Sequence, residues 1–464
     1  MGARRMRGST LPSYLDAMHG QARQTGGGDP SATSRARQAQ ATSAHGEERA
    51  VFRPSFPLVE AKLRQRTPPP VSIPRDRLIR RLTAEPRHPV VSISAPPGYG
   101  KTVLLAQWAA RAEHDVAWLT LDDLDNDPSV FLTYLAASLD QVRPIEASMG
   151  ASIAVHGHRV LATAVPRLAW ELSRWKQPGL LILDDVHLLT YRTCLDALTH
   201  LLDLLPPGFQ VAMAARADLD VPLPRYRARQ ELLELGGADL ALDVDATQAL
   251  VAAMGGSLDA TEARLLTDRT EGWAAGIYLA TLERSRHDVD PGSTGVSGVS
   301  GVSGEVGYVA EYLQVELARG LSDSDVALLT RTSILEVVEP DLAQSVAAVS
   351  RAEARLATMA QANQLIAPIT GADVAYRYHS LLRDFLTAEL ERREPGTTPE
   401  LHRRAAAWYA EHGRLGLAIE HALAGGDIDD AARLVTAAVL PLHHVGHDDQ
   451  LQRWFASFDD SVVA

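Results

Sequence analysis

Ala95-Pro-Pro-Gly-Tyr-Gly-Lys-Thr102 follows the apolar run Val90-Val-Ser-Ile-Ser94 and opens the helical run Val103-Leu-Leu-Ala-Gln-Trp108. A glycine-bearing loop between a strand and a helix places backbone N–H groups at a helix N-terminus, where they can cradle phosphate oxygens. Gly98 and Gly100 supply the backbone freedom such a loop needs to curl around an anion. In this reading Ala95, Pro96, Pro97, Gly98, Tyr99 and Gly100 form the cradle. Lys101 reaches the β- and γ-phosphates, and the Thr102 hydroxyl holds Mg²⁺. Ala95 stands where the first glycine of the strict pattern usually lies. Lysine is scarce in the chain, occurring only at 62, 101 and 176.

A nucleotide site of this kind needs an acid at the end of a buried strand. Gly179-Leu-Leu-Ile-Leu-Asp184-Asp185-Val186-His187 supplies it, since a continuous apolar run ending in carboxylates suits a parallel strand covered on both faces. Asp184 is the expected Mg²⁺ ligand, together with Thr102. Asp185 is placed to orient or activate an attacking water.

The 464 residues exceed one ordinary domain. The net charge of −13 is unevenly spread, about +9 over the first 90 residues and −22 over the rest, and argues against nonspecific nucleic-acid binding by the whole chain. A single cysteine, Cys194, excludes an internal disulfide framework and suits a reducing cytoplasm. No apolar run reaches the ~20 residues needed to span a bilayer, so no membrane partner is expected.

Residues 1–61 read as a basic, disordered arm. From 62 to 243 apolar strands alternate with helical patterns, as in a parallel three-layer α/β domain; strands are expected at 90–94, 116–121, 180–183, 210–214 and 240–242. Asn126 or Asp127 followed by Pro128 marks a helix start. Residues 244–286 read as a helical lid. The Gly-Val-Ser repeats within 287–304 read as a flexible linker. A mostly helical domain with a short strand pair fills 305–392, and 393–464 reads as Ala-rich helical hairpins.

Taken together, these stretches resemble the large ATP-binding regulators of the LuxR family, the MalT-like branch of the STAND nucleotide switches. The resemblance rests on the loop, on Leu183-Asp-Asp-Val-His187, on Ala214-Ala-Arg-Ala-Asp-Leu-Asp220 and Leu223-Pro-Arg-Tyr-Arg-Ala-Arg229, on Thr270-Glu-Gly-Trp-Ala-Ala-Gly276, on Tyr308-Val-Ala-Glu-Tyr-Leu313 and on Tyr376-Arg-Tyr-His-Ser-Leu-Leu-Arg-Asp-Phe-Leu386. It implies a P-loop NTPase domain, an all-α lid, a winged helix over 305–392 and the start of a tetratricopeptide-like array. ADP would hold a closed state, and ATP with an inducer would open it for self-association and transcription activation in a bacterial cytoplasm. The resemblance also implies that Arg216 senses the γ-phosphate, that His379 links nucleotide to domain closure, and that Arg77, with Pro74 and Arg75, lies by the adenine. Ala274 stands where a lid proline often packs on the base. The helix-turn-helix that ends such regulators has no counterpart in this sequence, so DNA contact is expected only through a module beyond it.

Three other readings compete. A working ATPase of the AAA+ initiator or loader type expects Asp-Glu where this chain has Asp184-Asp185. A small-molecule kinase needs an acceptor pocket close to the sheet. A truncated fragment without function is the third.

Overall fold

Strand residues that alternate between two apolar faces require helices on both, and the sequence supplies them on either side of each strand. The computed structural model describes residues 52–154, 159–175, 177–216, 219–289, 307–317, 321–362, 365–369, 374–445 and 454. A five-stranded parallel sheet is built from β1 (Val90–Ser94), β2 (Asp115–Thr120), β3 (Gly179–Asp184), β4 (Phe209–Ala215) and β5 (Leu232–Leu235), in the order β2-β3-β4-β1-β5. The two-residue alternation is visible in β3. Leu181 and Leu183 join the core under the Pro128–Asp140, Arg159–Ser173 and Arg192–Asp203 helices, while Leu180 and Ile182 join the opposite core with Leu104, Leu105 and Trp108 of the Lys101–Arg111 helix. The result is the expected three-layer α/β domain.

Four of the expected strands form. The fifth does not lie at 240–242: Gly237–Leu240 is a short helix, and the edge strand is Leu232–Leu235. Glu231 and Glu234 disguise that strand. Being at the sheet edge and paired only with β1, it tolerates Glu234 facing outward in an ion pair with Arg227, 2.7 Å away. Asp127 does cap the Pro128–Asp140 helix, its carboxylate accepting from the N–H groups of Ser129 and Val130. Asn126 ends the preceding 3₁₀ turn, Asp123–Asn126, instead.

Packed structure starts earlier than the residue-62 boundary. Phe52 is buried in the sheet core and its N–H donates to Ile145 O. Lys62 Nζ lies 2.6 Å from Asp125 Oδ2, 3.1 Å from Asp122 Oδ1 and 4.2 Å from the Tyr134 ring centroid. Residues 1–51 and the Gly-Val-Ser stretch fall outside the described residues.

Beyond the sheet, three helices, Val244–Ala253, Ala260–Thr270 and Ala274–Val289, surround their own small core of Leu242, Leu250, Val251, Leu266 and Ile277. The helix Tyr308–Leu317 follows. Then come the helices Asp323–Thr332, Pro340–Ala347 and Ala352–Gln361, the antiparallel hairpin β6 (Ile366–Ile369) and β7 (Ala375–Tyr378), and the helix Ser380–Arg393. Helices, a two-stranded wing and a closing helix are the parts of a winged helix. Its core continues into the hairpins Thr398–Glu411, Leu415–Ala424 and Ile428–Val445 through Leu401, Ala405, Ala418 and Ile419. Among the described residues no helix is long and apolar enough to cross a membrane.

Candidate functional site

The loop 95–102 leaves the C-terminal end of β1, at the centre of the sheet. Gly98 and Gly100 take φ of +79° and +83°, the left-handed region that glycine enters without a Cβ penalty. Four of the loop's carbonyls are engaged, two by the loop's own Lys101 and two by the lid. Ala95 O and Pro96 O accept from Lys101 Nζ at 2.7 and 3.0 Å, Pro97 O from Trp273 Nε1 at 2.9 Å, and Gly98 O from Ala275 N at 3.0 Å. Among the described residues the N–H groups of Gly98 to Thr102 have no protein acceptor, and no side chain caps the helix they open. Open N–H groups at a helix start, with the neighbouring carbonyls already engaged, form an anion cradle.

At the end of β3, Asp184 is buried and its Oδ2 accepts from Thr102 Oγ1 at 2.9 Å. Burial, and then the neighbouring Asp185, push the Asp184 carboxyl up to about 6. Two hard oxygen donors touching across β3 and the Lys101–Arg111 helix fit Mg²⁺, which keeps most of its other positions for water and phosphate. Lys101 is pushed down to about 8, first by burial and then by Arg216, while Asp185, Asp184 and Glu316 pull it back up. Asp185 adopts φ +61°, turning its side chain off the strand line towards His187, whose Nδ1 is 3.9 Å from Asp185 Oδ1. Burial drives His187 down to about 4.

Arg216 follows β4 directly and donates from Nη1 to Glu316 Oε2 at 2.9 Å. Pro97, His187, Arg216, Tyr312 and Glu316 line one cavity of about 200 Å³ beside the loop. A second, of about 540 Å³, is lined by Pro96, Tyr99, Gly237, Ala241, Glu271, Arg377 and His379. His379 lines that space with both ring nitrogens engaged: Nδ1 accepts from Leu381 N and Nε2 meets Thr270 O at 2.9 Å. The Nε2–H tautomer satisfies both bonds, and burial lowers the ring's pKa. Arg77 lies exposed on the Asp76–Thr83 helix; against burial, the Gly236 N–H and Arg81 hold the Asp239 carboxyl low, and Arg77 adds the least to it. Arg75, not Arg77, reaches inward, donating to Leu240 O.

The segment 270–276 joins loop, lid and winged helix. Thr270 O meets His379. Burial alone would raise the Glu271 carboxyl, but its bonds to Arg377, the nearby His379 and the Ser380 N–H hold it low. A Cβ on Gly272, at φ +70°, would sit 2.5 Å from Leu242 O. Trp273 is fully buried against Tyr312, with ring centroids 5.5 Å apart, and against His379 at 5.7 Å. A Cβ on Gly276 would strike the Trp273 ring at 2.5 Å. The Trp273–loop contact, the Glu271–Arg377 pair and the Arg216–Glu316 pair were not anticipated. Their members stand roughly 100 residues or more apart, and no local pattern announces them.

Residues 314–398 match a family described as the MalT winged helix domain. The chain is 31% identical over 387 residues to serine/threonine-protein kinase PknK of Mycobacterium tuberculosis, covering 82% of this chain and 34% of that protein. It is 29% identical over 356 residues to the HTH-type transcriptional regulator MalT of Yersinia enterocolitica, covering 76% of this chain and 39% of the regulator. It thus spans little more than a third of these relatives. Among solved structures, a Walker-type ATPase of Pyrococcus abyssi matches at 12% identity with a TM-score of 0.47, over 70% of this chain and 98% of that one. Cdc6p of Pyrobaculum aerophilum matches at 13% identity and a TM-score of 0.33, over 68% and 92%. The chain thus joins a P-loop α/β domain to a segment that matches the MalT winged helix domain, and over three quarters of its length it is similar to MalT.

Proposed function

We propose that the chain is the ATP/ADP-binding switch portion of a MalT-type transcriptional regulator, at most a slow ATPase, acting in the cytoplasm. The observation that carries this reading is the row of N–H groups from Gly98 to Thr102 without protein acceptors, fixed by a lid that holds the opposite, carbonyl side of the loop. Lys101 and the Thr102–Asp184 pair fit a phosphate chain with Mg²⁺. Bound Mg²⁺ would neutralise phosphate charge, while the loop orients the chain of phosphates and Asp185, next to Asp184, would orient the attacking water.

A switch also requires that the nucleotide touch elements able to move. The loop contacts the lid through Trp273 and Ala275, and the lid contacts the winged helix through Glu271, Arg269 and Thr270. Nucleotide-dependent loop geometry therefore has a bonded route to the helical hairpins. The matched regions of PknK and MalT overlap on this chain, although those proteins carry different names. A shared region of this kind suits a regulatory unit that serves different outputs. Self-association in the ATP state and DNA contact through a further module complete the reading.

Calorimetric titration of ADP and Mg–ATP tests it. The wild-type chain is expected to bind both, and Lys101→Ala neither, because the loop loses its only cation. Unchanged affinity in Lys101→Ala refutes the site.

A further inference from the structure

The pair Arg216–Glu316 joins the end of β4 to the Tyr308–Leu317 helix across 100 residues of sequence. That helix is held by one face. Val309 and Leu313 are buried with Trp273 and Leu381, Tyr312 packs on the Trp273 ring, and Glu316 continues the same face one turn on. The Glu316 carboxylate is itself largely shielded, with 19% of its side chain exposed against 33% for Arg216. Both residues line the 200 Å³ cavity with Pro97 of the loop and His187 of the β3 end. Glu316 lies close enough to Lys101 to raise its pKa, and Arg216 close enough to lower it. A carboxylate thus stands beside the loop in a cavity that Pro97 also lines, bound to the Arg216 guanidinium.

We infer that Glu316 is a specificity-determining residue of the nucleotide site, an internal anion that competes with the γ-phosphate for Arg216 and so favours ADP over ATP. The inference rests on the nucleotide-switch reading and adds the element that sets its bias. A γ-phosphate and Glu316 both seek one guanidinium, and a planar guanidinium bonded to a carboxylate presents fewer free donors to a phosphate. ADP leaves the pair untouched. ATP gains Arg216 only by displacing Glu316, which loosens the Tyr308–Leu317 helix from Trp273. One ion pair thereby links the identity of the nucleotide to the docking of the helix that leads into the winged helix.

The test is calorimetric titration of ADP and of a non-hydrolysable ATP analogue, each with Mg²⁺. It compares the wild type with Glu316→Gln, Arg216→Ala and the double variant. In Glu316→Gln the ATP analogue is expected to bind about tenfold tighter, a typical coupling between sites, while ADP stays within about twofold. In the Arg216→Ala background Glu316→Gln is expected to change neither nucleotide. An equal shift for both nucleotides, or the same shift without Arg216, overturns the inference. Hydrogen exchange on the wild type gives a second readout that needs no variant. Amides of 308–317 are expected to exchange faster with the ATP analogue than with ADP, and equal protection overturns the inference. Wild-type protein that binds neither nucleotide overturns the switch reading itself, whereas binding with no Glu316 effect removes only Glu316.

Discussion

Trp273 Nε1 donates to the Pro97 carbonyl at 2.9 Å, so an indole of the lid is bonded to the backbone of the phosphate loop. The lid sets the loop's shape from behind, by occupying the carbonyls that must not turn inward.

Trp273→Phe keeps an aromatic ring and removes the donor. It is expected to cost about 1–2 kcal/mol, the usual range for a bond lost at a buried acceptor, and to weaken both nucleotides together. Urea unfolding followed by calorimetry checks this. Unchanged stability with unchanged affinity would show that the indole only fills space.

Gly272 and Gly413 separate two reasons for glycine. Both have φ of +70°, but a Cβ at Gly272 meets Leu242 O at 2.5 Å whereas Gly413 has nothing within 4 Å. Gly413→Ala is expected to cost about 1 kcal/mol, the strain of the left-handed region alone. Gly272→Ala adds a collision with the Leu242 backbone and is expected to cost at least about 2 kcal/mol more. Equal losses in unfolding free energy would contradict the close approach.

Asp185→Asn tests the proposed water-orienting role. Hydrolysis is expected to slow by about 100-fold, in the range of general-base contributions, with ADP affinity unchanged. A phosphate-release assay that shows equal turnover removes Asp185 from catalysis.

His402 and His421 meet between the Thr398–Glu411 and Leu415–Ala424 helices, Nδ1 to Nδ1 at 2.9 Å. Burial lowers His402. Burial and then the His402 charge bring His421 down to about 4. With both folded-state values below the unfolded 6.5, the unfolded chain binds more protons on acidification. The hairpins are expected to lose stability as pH falls below 6.5 towards 4, and His421→Gln to flatten that slope. Thermal unfolding at pH 7 and pH 5 measures it, and a parallel decline in the variant would exclude the pair.

The phosphate loop, the Asp pair and the sheet were legible because each depends on a few contiguous residues whose spacing carries the geometry. β5 was not, since an edge strand with glutamates at 231 and 234 lacks the apolar signature of its covered neighbours. The stretch Thr270 to Gly276 was legible as a motif but not as a mechanism. Gly272 answers to Leu242, Glu271 to Arg377 and Trp273 to Pro97, and those partners become neighbours only on folding. Arg216 could be placed at a strand end from sequence, while its counter-ion could not.

Lys62 has a consequence for any minimal version of the nucleotide domain. Trimming the chain to start at Val90 would retain the loop and the Asp pair. It would also strip the cation from Asp125, a carboxylate with no exposed surface, and open the core where Phe52 and Leu63 sit. A buried charge left without its partner costs about 3–5 kcal/mol, a large share of a domain's whole stability. A stable nucleotide-domain fragment is therefore expected to extend upstream to Phe52, well before the first strand, and a boundary drawn from the motif alone would leave the domain destabilised.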